Sequence, residues 1–294
     1  MIIGENRDAV IENIKNSAES GNFNCKVELN DPTLTNEQSD RIIRRYLEKR
    51  KTPLFKMKAF TARKMADIVT RYVNKDTETV GLEKVPELTN GAIITSNHFS
   101  PLENTVIRSF AKQIGKKRLN IVSQVSNFAM TGILGFLMNY ADTIPLSENP
   151  HYLRREFISV ISELLNKNEV ILIYPEQEMW FNYRKPRPIK RGSYYYAAKL
   201  NVPVISCFVE MVDLQEKDTD EFYKVKYILH ILGVLYPDSQ KSVRENSIEM
   251  ADKDYELKKA AYEKIYNKPL IYTFDGSDIA GWDTDKIRLE NVNG

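Results

Sequence analysis

Cysteine is scarce in this sequence of 294 residues. Its only two cysteines, Cys25 and Cys207, lie in different halves of the chain. This usage excludes a disulfide framework, and the spacing is not that of a zinc site, so we predict neither a disulfide nor a bound metal. A chain without structural disulfides fits a reducing compartment, which predicts a cytoplasmic location.

Long apolar runs are also missing. No segment approaches the roughly 18 apolar residues of a membrane-spanning helix. The nearest, residues 128–140, is interrupted by polar residues and glycines. The N-terminus lacks the charged and then apolar layout of a signal peptide. We therefore predict a protein that is not embedded in a membrane.

Positive charge is unevenly distributed. The net charge is only +2, yet residues 41–75 contain twelve basic and two acidic residues, which leaves the rest of the chain acidic. Such a segment favours an anionic partner: phospholipid headgroups, an acidic carrier protein or nucleic acid. Two apolar stripes with helical spacing run through it, at Ile42, Ile43, Tyr46 and Leu47, and at Met65, Ile68, Val69, Tyr72 and Val73. These amphipathic helices either pack on the rest of the protein or lie on an anionic membrane.

From residue 91 the pattern alternates between strands and helices. Strand-like runs occupy residues 92–96, 119–125, 143–146, 170–174, 204–211 and 223–235. Helical patterns occupy residues 103–114, 127–140, 152–166, 193–200 and 245–267. This order predicts an α/β fold, with a mixed, mainly parallel central sheet flanked by helices and the last strand as a candidate antiparallel edge. We expect residues 1–80 to form a helical, basic extension and residues 81–294 to form the main domain.

The turn after the first strand of this domain places a histidine beside a carboxylate. Residues 92–96 are an apolar strand that leads to His98, and Ser100, Pro101 and Glu103 form the pattern of a capped helix start. One reading is purely structural, with Glu103 as a capping residue and His98 as a buried imidazole. The other is chemical, because α/β proteins place reactive groups at the carboxyl ends of strands.

Three blocks in order carry a resemblance to a family. Residues Asn97-His98-x-Ser100-x-x-Glu103 resemble the Asn-His-x-Ser-x-x-Asp motif (the HX4D/E motif) of the lysophospholipid (glycerolipid) acyltransferase family. Residues 171–177 resemble its Phe-Pro-Glu-Gly block, and residues 190–205 resemble its basic-Gly, Ala-rich helix and Val-Pro block. The resemblance covers about residues 80 to 235 and implies the fold of that family.

The family pattern also implies roles. By resemblance, His98 is the general base, Glu103 orients it, and Glu176 binds the acceptor. The motif residues Asn97, Ser100 and Gln177 are candidates for substrate binding. This sequence departs from the family at three positions. Glu103 stands for Asp and adds one methylene to the pairing with His98, while Gln177 for Gly and Met179 for Arg put recognition of a glycerol phosphate headgroup in doubt.

A basic, aromatic loop follows the second block. Residues 180–192 contain five cations, three aromatic residues and two prolines. We consider two alternatives, a solvated basic loop and a phosphate or sugar site, since arginine grips phosphates and helix N-termini favour anions. The candidate binding residues are Arg184, Lys185, Lys190, Arg191 and Gly192.

Together with the composition, the resemblance implies a cytoplasmic acyltransferase that is peripherally associated with the inner face of the membrane. It would transfer a fatty acyl group from acyl-CoA or acyl-carrier protein, its co-substrate, to a hydroxyl of a lysophospholipid or related lipid or glycolipid, and would need no cofactor. Residues 41–75 would contact the membrane. The alternative is a catalytically altered membrane- or carrier-binding protein on the same scaffold. We expect no nucleic-acid binding, because no motif for it is present.

Overall fold

A computed structural model of the chain describes residues 6–29 and 32–283. Its centre is a seven-stranded sheet in the order β1-β7-β6-β2-β5-β3-β4. The strands are β1 (Glu78–Val80), β2 (Ala92–Thr95), β3 (Leu119–Gln124), β4 (Thr143–Leu146), β5 (Val170–Leu172), β6 (Val204–Lys217) and β7 (Tyr223–Leu235). Strand β2 lies in the middle and pairs in parallel with both β5 and β6. The predicted mixed, mainly parallel α/β sheet is confirmed.

The sequence prediction failed at one edge of the sheet. Strand β7 is antiparallel to β6, as expected, but it is not an edge strand because β1 pairs with it in parallel. Strand β1 was missed because it has only three residues, Glu78-Thr79-Val80, with no apolar alternation to mark it. A strand this short forms because the long strand β7 offers it a hydrogen-bonding edge.

Helices cover both faces of the sheet. They are α1 (Arg7–Glu19), α2 (Asn36–Lys49), α3 (Pro53–Val73), α4 (Asn104–Gln113), α5 (Gly132–Tyr140), α6 (Pro150–Tyr152), α7 (Ile158–Asn166), α8 (Gly192–Leu200) and α9 (Val243–Tyr266). A π-helical turn, Leu153–Phe157, joins α6 to α7. One apolar core lies between the sheet and the helices α7, α8 and α9, and a second lies between the sheet and α4. Because both faces are covered, the central strands are apolar on both sides.

The two basic helices near the N-terminus behave differently. Helix α2 packs its predicted stripe on the first core, with Ile43 buried. Helix α3 instead buries the small side chains of Ala59 and Ala62, which allow close approach to α4 and α5. Its larger apolar residues face outward and are more than half exposed: Leu54, Met57, Phe60, Ile68 and Tyr72. The alternative that the second predicted stripe packs on the rest of the protein is therefore wrong for Ile68 and Tyr72.

Both ends of the described chain meet on the segment after β5. Helix α1 contributes Ile11 and Ile14 to a small third core, which also contains Trp180 and Tyr183 from that segment. Near the other end of the chain, Ile279 joins the same cluster and pairs with Tyr183 in an isolated β-bridge. In the described part of the chain, no helix has the length and apolar character needed to cross a membrane.

Candidate active site

The candidate site lies at the carboxyl edge of the central parallel strands, where α/β proteins bind ligands. We call residues 96–103, which follow β2, the β2 turn, and residues 173–191, which follow β5, the β5 loop. His98 lies in the first and Glu176 in the second. Because β2 and β5 are parallel neighbours, both segments leave the sheet at the same edge. The backbone N–H of His98 donates to Oε2 of Glu176 at 3.3 Å.

The imidazole of His98 is paired with a buried carboxylate. Its Nδ1 contacts Oε1 of Glu103, whose side chain is only 1% exposed, whereas the His98 side chain is 21% exposed. With Nδ1 occupied, the other ring nitrogen, Nε2, makes no hydrogen bond to any residue that the structure describes. A carboxylate on Nδ1 fixes the tautomer that leaves Nε2 as the acceptor. The ring can therefore take a proton at Nε2.

Glu103 also organises the turn itself. Its Oε2 accepts hydrogen bonds from the backbone N–H groups of Phe99 and Ser100, the latter at 2.8 Å. The backbone bond to Ser100 is one half of the expected capping box, while Ser100 Oγ accepts from Leu102 N–H at 3.2 Å. Glu103 therefore serves both the structural and the chemical interpretation: Oε2 holds the backbone of the turn, and Oε1 orients His98. The predicted helix start at Ser100 is wrong, because residues 101–103 form a turn and α4 begins at Asn104.

The other two motif residues of the β2 turn are buried and engaged within the protein. Asn97 makes a two-way bridge to β6: its Nδ2 donates to Val209 O at 3.0 Å, and its Oδ1 accepts from Val209 N–H at 2.8 Å. Ser100 is buried and holds Leu102 as described above. The structure places both beside His98; Asn97 fixes the turn to the sheet, and Ser100 bonds within the turn.

One site residue, Tyr174, was missed from the sequence. Its ring stacks on the imidazole of His98 with centroids 4.0 Å apart and an interplanar angle of 4°. The hydroxyl is buried and has no hydrogen-bond partner among the described residues. Burial and, second, the nearby charge of Glu103 raise the pKa of Tyr174 well above its usual value, so the phenol stays neutral. Its position just before Pro175-Glu176 was the available signal.

Glu176 lies at the predicted edge, but its carboxylate is enclosed. It is buried and forms an ion pair with Arg187, whose Nη2 lies 3.0 Å from Oε2. The backbone N–H of Arg187 donates to the other oxygen, Oε1, at 3.1 Å. Next to it, Gln177 is exposed with a φ of 70°, a left-handed conformation that favours glycine. The backbone therefore explains why the family block has a glycine at this place.

The predicted cationic residues of the β5 loop divide into two groups. Arg184 and Lys185 are buried and paired inside the protein, the first with Asp213 and the second with Asp278. The prediction of a phosphate or sugar site overlooked these carboxylates, which already neutralise the two cations. Lys190, Arg191 and Gly192 are exposed at the start of α8. Only this second group remains accessible to an anionic ligand.

The arrangement offers acid–base chemistry. Within residues 6–29 and 32–283, no cluster of three or more His, Cys, Asp or Glu side chains is placed to hold a metal ion. What the edge does present is an imidazole oriented by a carboxylate, stacked on an aromatic ring and open at Nε2.

Comparisons with known proteins bear on the family and the fold of the chain. Residues 76–210, which include His98, Glu103 and Glu176, match the family model described as Acyltransferase. Among solved structures, the chain is similar to the 1-acyl-sn-glycerophosphate (LPA) acyltransferase PlsC from Thermotoga maritima. The two chains share 18% identity with a TM-score of 0.51, over 79% of this chain and 90% of that one. No curated protein sequence matches the chain. Residues 76–210 are thus similar to the acyltransferase family, as the motif blocks of the sequence predict.

Proposed function

We propose that the protein transfers a fatty acyl group from an acyl-thioester to a hydroxyl of a lysophospholipid or related lipid or glycolipid, as a step in phospholipid or glycolipid synthesis. The observation that carries this proposal is the pairing of His98 Nδ1 with the buried Glu103, which leaves Nε2 for a substrate. The family match and the PlsC-like fold support the same reaction class.

In the proposed mechanism His98 acts as a general base. Nε2 takes the proton of the acceptor hydroxyl as its oxygen attacks the thioester carbonyl, and Glu103 stabilises the imidazolium that forms. The tetrahedral intermediate then collapses, the carbon–sulfur bond breaks, and the imidazolium returns the proton to the leaving thiolate. No covalent acyl-enzyme is required, and no cofactor takes part. Acyl-CoA and acyl-carrier protein are the candidate donors.

The accessible cations give the donor or acceptor an anionic contact. Lys190 and Arg191 are exposed just before α8, whose first residue is Gly192. Guanidinium and ammonium groups bind phosphate oxygens, and the N-terminal amides of a helix add to the attraction. We infer that this corner binds a phosphate of the donor or of the acceptor headgroup.

Helix α3 supports a membrane contact for the predicted segment 41–75. Exposed apolar side chains such as Phe60 and Ile68 alternate there with exposed cations such as Lys64 and Arg71. A basic helix with an exposed apolar face binds anionic bilayers. On this basis α3, within the predicted extension of residues 1–80, is the helix that contacts the membrane, and the protein works at the inner face of the membrane. Co-sedimentation should be stronger with anionic than with zwitterionic vesicles, and weaker for Phe60→Ser/Ile68→Ser; equal binding in all cases would contradict it.

The decisive experiment is an acyl-transfer assay. Purified protein is incubated with labelled acyl-CoA or acyl-carrier protein and mixed lysolipids, and the products are identified by mass. We expect His98→Ala to lower kcat by about 10²-fold to 10⁴-fold, the usual contribution of a positioned base. His151→Ala is the matched control, because His151 is exposed and distant in the chain, and it should retain activity. Undiminished transfer by His98→Ala would refute the proposed base.

The competing hypothesis is a membrane- or carrier-binding protein that has lost catalysis. The observation in its favour is the enclosure of Glu176, the residue expected to bind the acceptor. The same assay separates the two: binding of vesicles or carrier protein without any acyl transfer supports the competing hypothesis.

A further inference from the structure

The peptide groups on both sides of His98 are held by one buried ion pair. The His98 N–H donates to Glu176 Oε2 at 3.3 Å, and the His98 carbonyl accepts from Arg187 Nη2 at 3.4 Å. We propose that Glu176 and Arg187 are positioning residues, which fix the backbone of His98 so that its ring keeps its working orientation, and that Glu176 does not bind the acceptor. This inference rests on the proposed role of His98 as the base.

The sheet does not hold His98 directly. Strand β2 ends at Thr95, so His98 lies three residues beyond the ladder. Its neighbours are held by other groups, Asn97 by Val209 of β6 and Phe99 by the carboxylate of Glu103. The amide and the carbonyl of His98 itself both bond to the β5 loop. In addition to Arg187, the backbone N–H of Trp180 donates to the His98 carbonyl at 3.1 Å.

All three nitrogens of the Arg187 guanidinium donate hydrogen bonds within the protein. Its Nε donates to Glu176 at 3.2 Å, its Nη1 to Phe23 O at 2.9 Å, and its Nη2 to Glu178 O as well as to His98 O. The guanidinium also lies 4.7 Å from the ring centroid of Trp180. The N-terminal segment strengthens this enclosure, since Asn24 Nδ2 donates to the carbonyls of Glu176 and Pro188. The pair is therefore a fixed part of the interior.

Glu176 is equally engaged. One carboxylate oxygen accepts from Arg187 N–H, and the other accepts from the Arg187 side chain and from His98 N–H. The residue is buried, so an acceptor hydroxyl would have to displace Arg187 to reach it. Displacement would leave a guanidinium buried without its counter-charge, which is strongly unfavourable. A positioning role predicts a change in kcat, whereas an acceptor-binding role predicts a change in the acceptor KM.

The test compares two neutralised ion pairs, each with at least one partner in the β5 loop. Glu176→Gln/Arg187→Gln removes both charges of the positioning pair, and Lys185→Gln/Asp278→Asn removes both charges of a buried pair that does not touch His98. Removing both partners avoids an unpaired buried charge. We expect the first variant to lose about 10²-fold in kcat, since a misplaced catalytic group costs about that much, with both KM values unchanged. The second should keep its kcat.

Two outcomes overturn the proposal: a folded Glu176→Gln/Arg187→Gln variant with wild-type kcat, or one whose acceptor KM rises while kcat stays unchanged. If that variant does not fold, Arg187→Lys, which keeps both charges of the pair but removes the guanidinium group that reaches the His98 carbonyl, is measured in the same way, and the same two outcomes count against the proposal. The NMR resonances of the His98 ring protons give a readout without turnover; we expect them to shift in the first variant and not in the second, and unshifted resonances contradict the proposal. Full activity of His98→Ala would instead defeat the proposed function itself.

Discussion

The β2 turn and the β5 loop leave the sheet side by side, yet they use their charged residues in different ways. In the β2 turn, the buried Glu103 orients a ring that remains partly exposed. In the β5 loop, Arg184, Lys185 and Arg187 are all buried and paired with carboxylates. The turn with little charge thus presents the proposed base, and the loop rich in cations forms the scaffold behind it.

The difference shows that the number of charges in a segment does not identify a binding site. A buried cation needs a partner, because an unpaired buried charge is expensive. When the chain itself provides the partner, the cation is no longer available to a ligand. The accessible chemistry lies where one atom of a paired group, here Nε2 of His98, is left without an internal partner in the described part of the chain.

Replacing Glu103 tests the role of the β2 turn and should have the largest effect on kcat. Glu103→Gln keeps the shape and an oxygen for the backbone N–H groups, but loses the charge that stabilises the imidazolium. We expect kcat to fall by about 10²-fold to 10⁴-fold, because the orienting carboxylate of such a pair contributes that much. Steady-state kinetics with a circular dichroism check of folding measures it. A kcat close to that of the wild type would show that the carboxylate serves only the turn.

Replacing Lys185 tests whether the buried ion pairs of the β5 loop serve stability and not catalysis. Lys185→Met leaves Asp278 buried without its main counter-charge, although Lys268 remains at 3.4 Å. We expect the free energy of unfolding to fall by about 3 kcal/mol, as for other broken buried pairs. Below the unfolding transition, kcat per folded molecule should be unchanged. Denaturant unfolding and kinetics on the same samples test this, and a large change in kcat with intact stability would place Lys185 in the site.

The exposed cations of the same loop should show the opposite behaviour. In Lys190→Ala/Arg191→Ala, we expect the unfolding free energy to change by less than about 0.5 kcal/mol, because both side chains are on the surface. If they bind a phosphate, the KM of the substrate that carries it should rise about tenfold, equivalent to about 1.4 kcal/mol. Unchanged KM values for donor and acceptor would remove both residues from the proposed site.

The smallest effect is expected at Tyr174, which touches both segments. Tyr174→Phe keeps the ring that stacks on His98 and removes a buried hydroxyl without a partner among the described residues. An unsatisfied buried donor is unfavourable by about 1–3 kcal/mol, so stability should stay level or rise slightly. Thermal unfolding and turnover measure this. A marked loss of kcat would mean that the hydroxyl itself takes part in the reaction.

Local patterns were enough to predict most of the fold. Five of the six predicted strands agree with the structure to within two residues at each end, and the sixth, β6, runs on to Lys217 through a polar stretch that the pattern did not mark. Strand β1 escaped because three residues carry no period. The pairing of His98 with Glu103 was within reach because the two residues are five positions apart and join across a single turn.

Partners that are distant in the chain could not be predicted. Asp278 lies 93 positions from Lys185, and Asp213 lies 29 positions from Arg184. A sequence pattern shows which residues are charged, but it does not show which ones the fold brings together. The exposed face of α3 was unpredictable for a related reason, because Ala59 and Ala62 replaced the larger residues as the packing surface.

The meeting of both chain ends on the β5 loop has a consequence for protein synthesis. Phe23 and Asn24 are translated before the β5 loop that they contact, but Asp278 and Ala280 are translated after all seven strands of the sheet. The support behind the imidazole therefore closes only after residues 278–280 have been translated. We expect nascent chains stalled before residue 270 to lack the contacts that Asp278 and Ala280 make with this loop and to be inactive, although β2 and the β2 turn have already been translated. Acyl transfer by such stalled chains would show that the late contacts are dispensable.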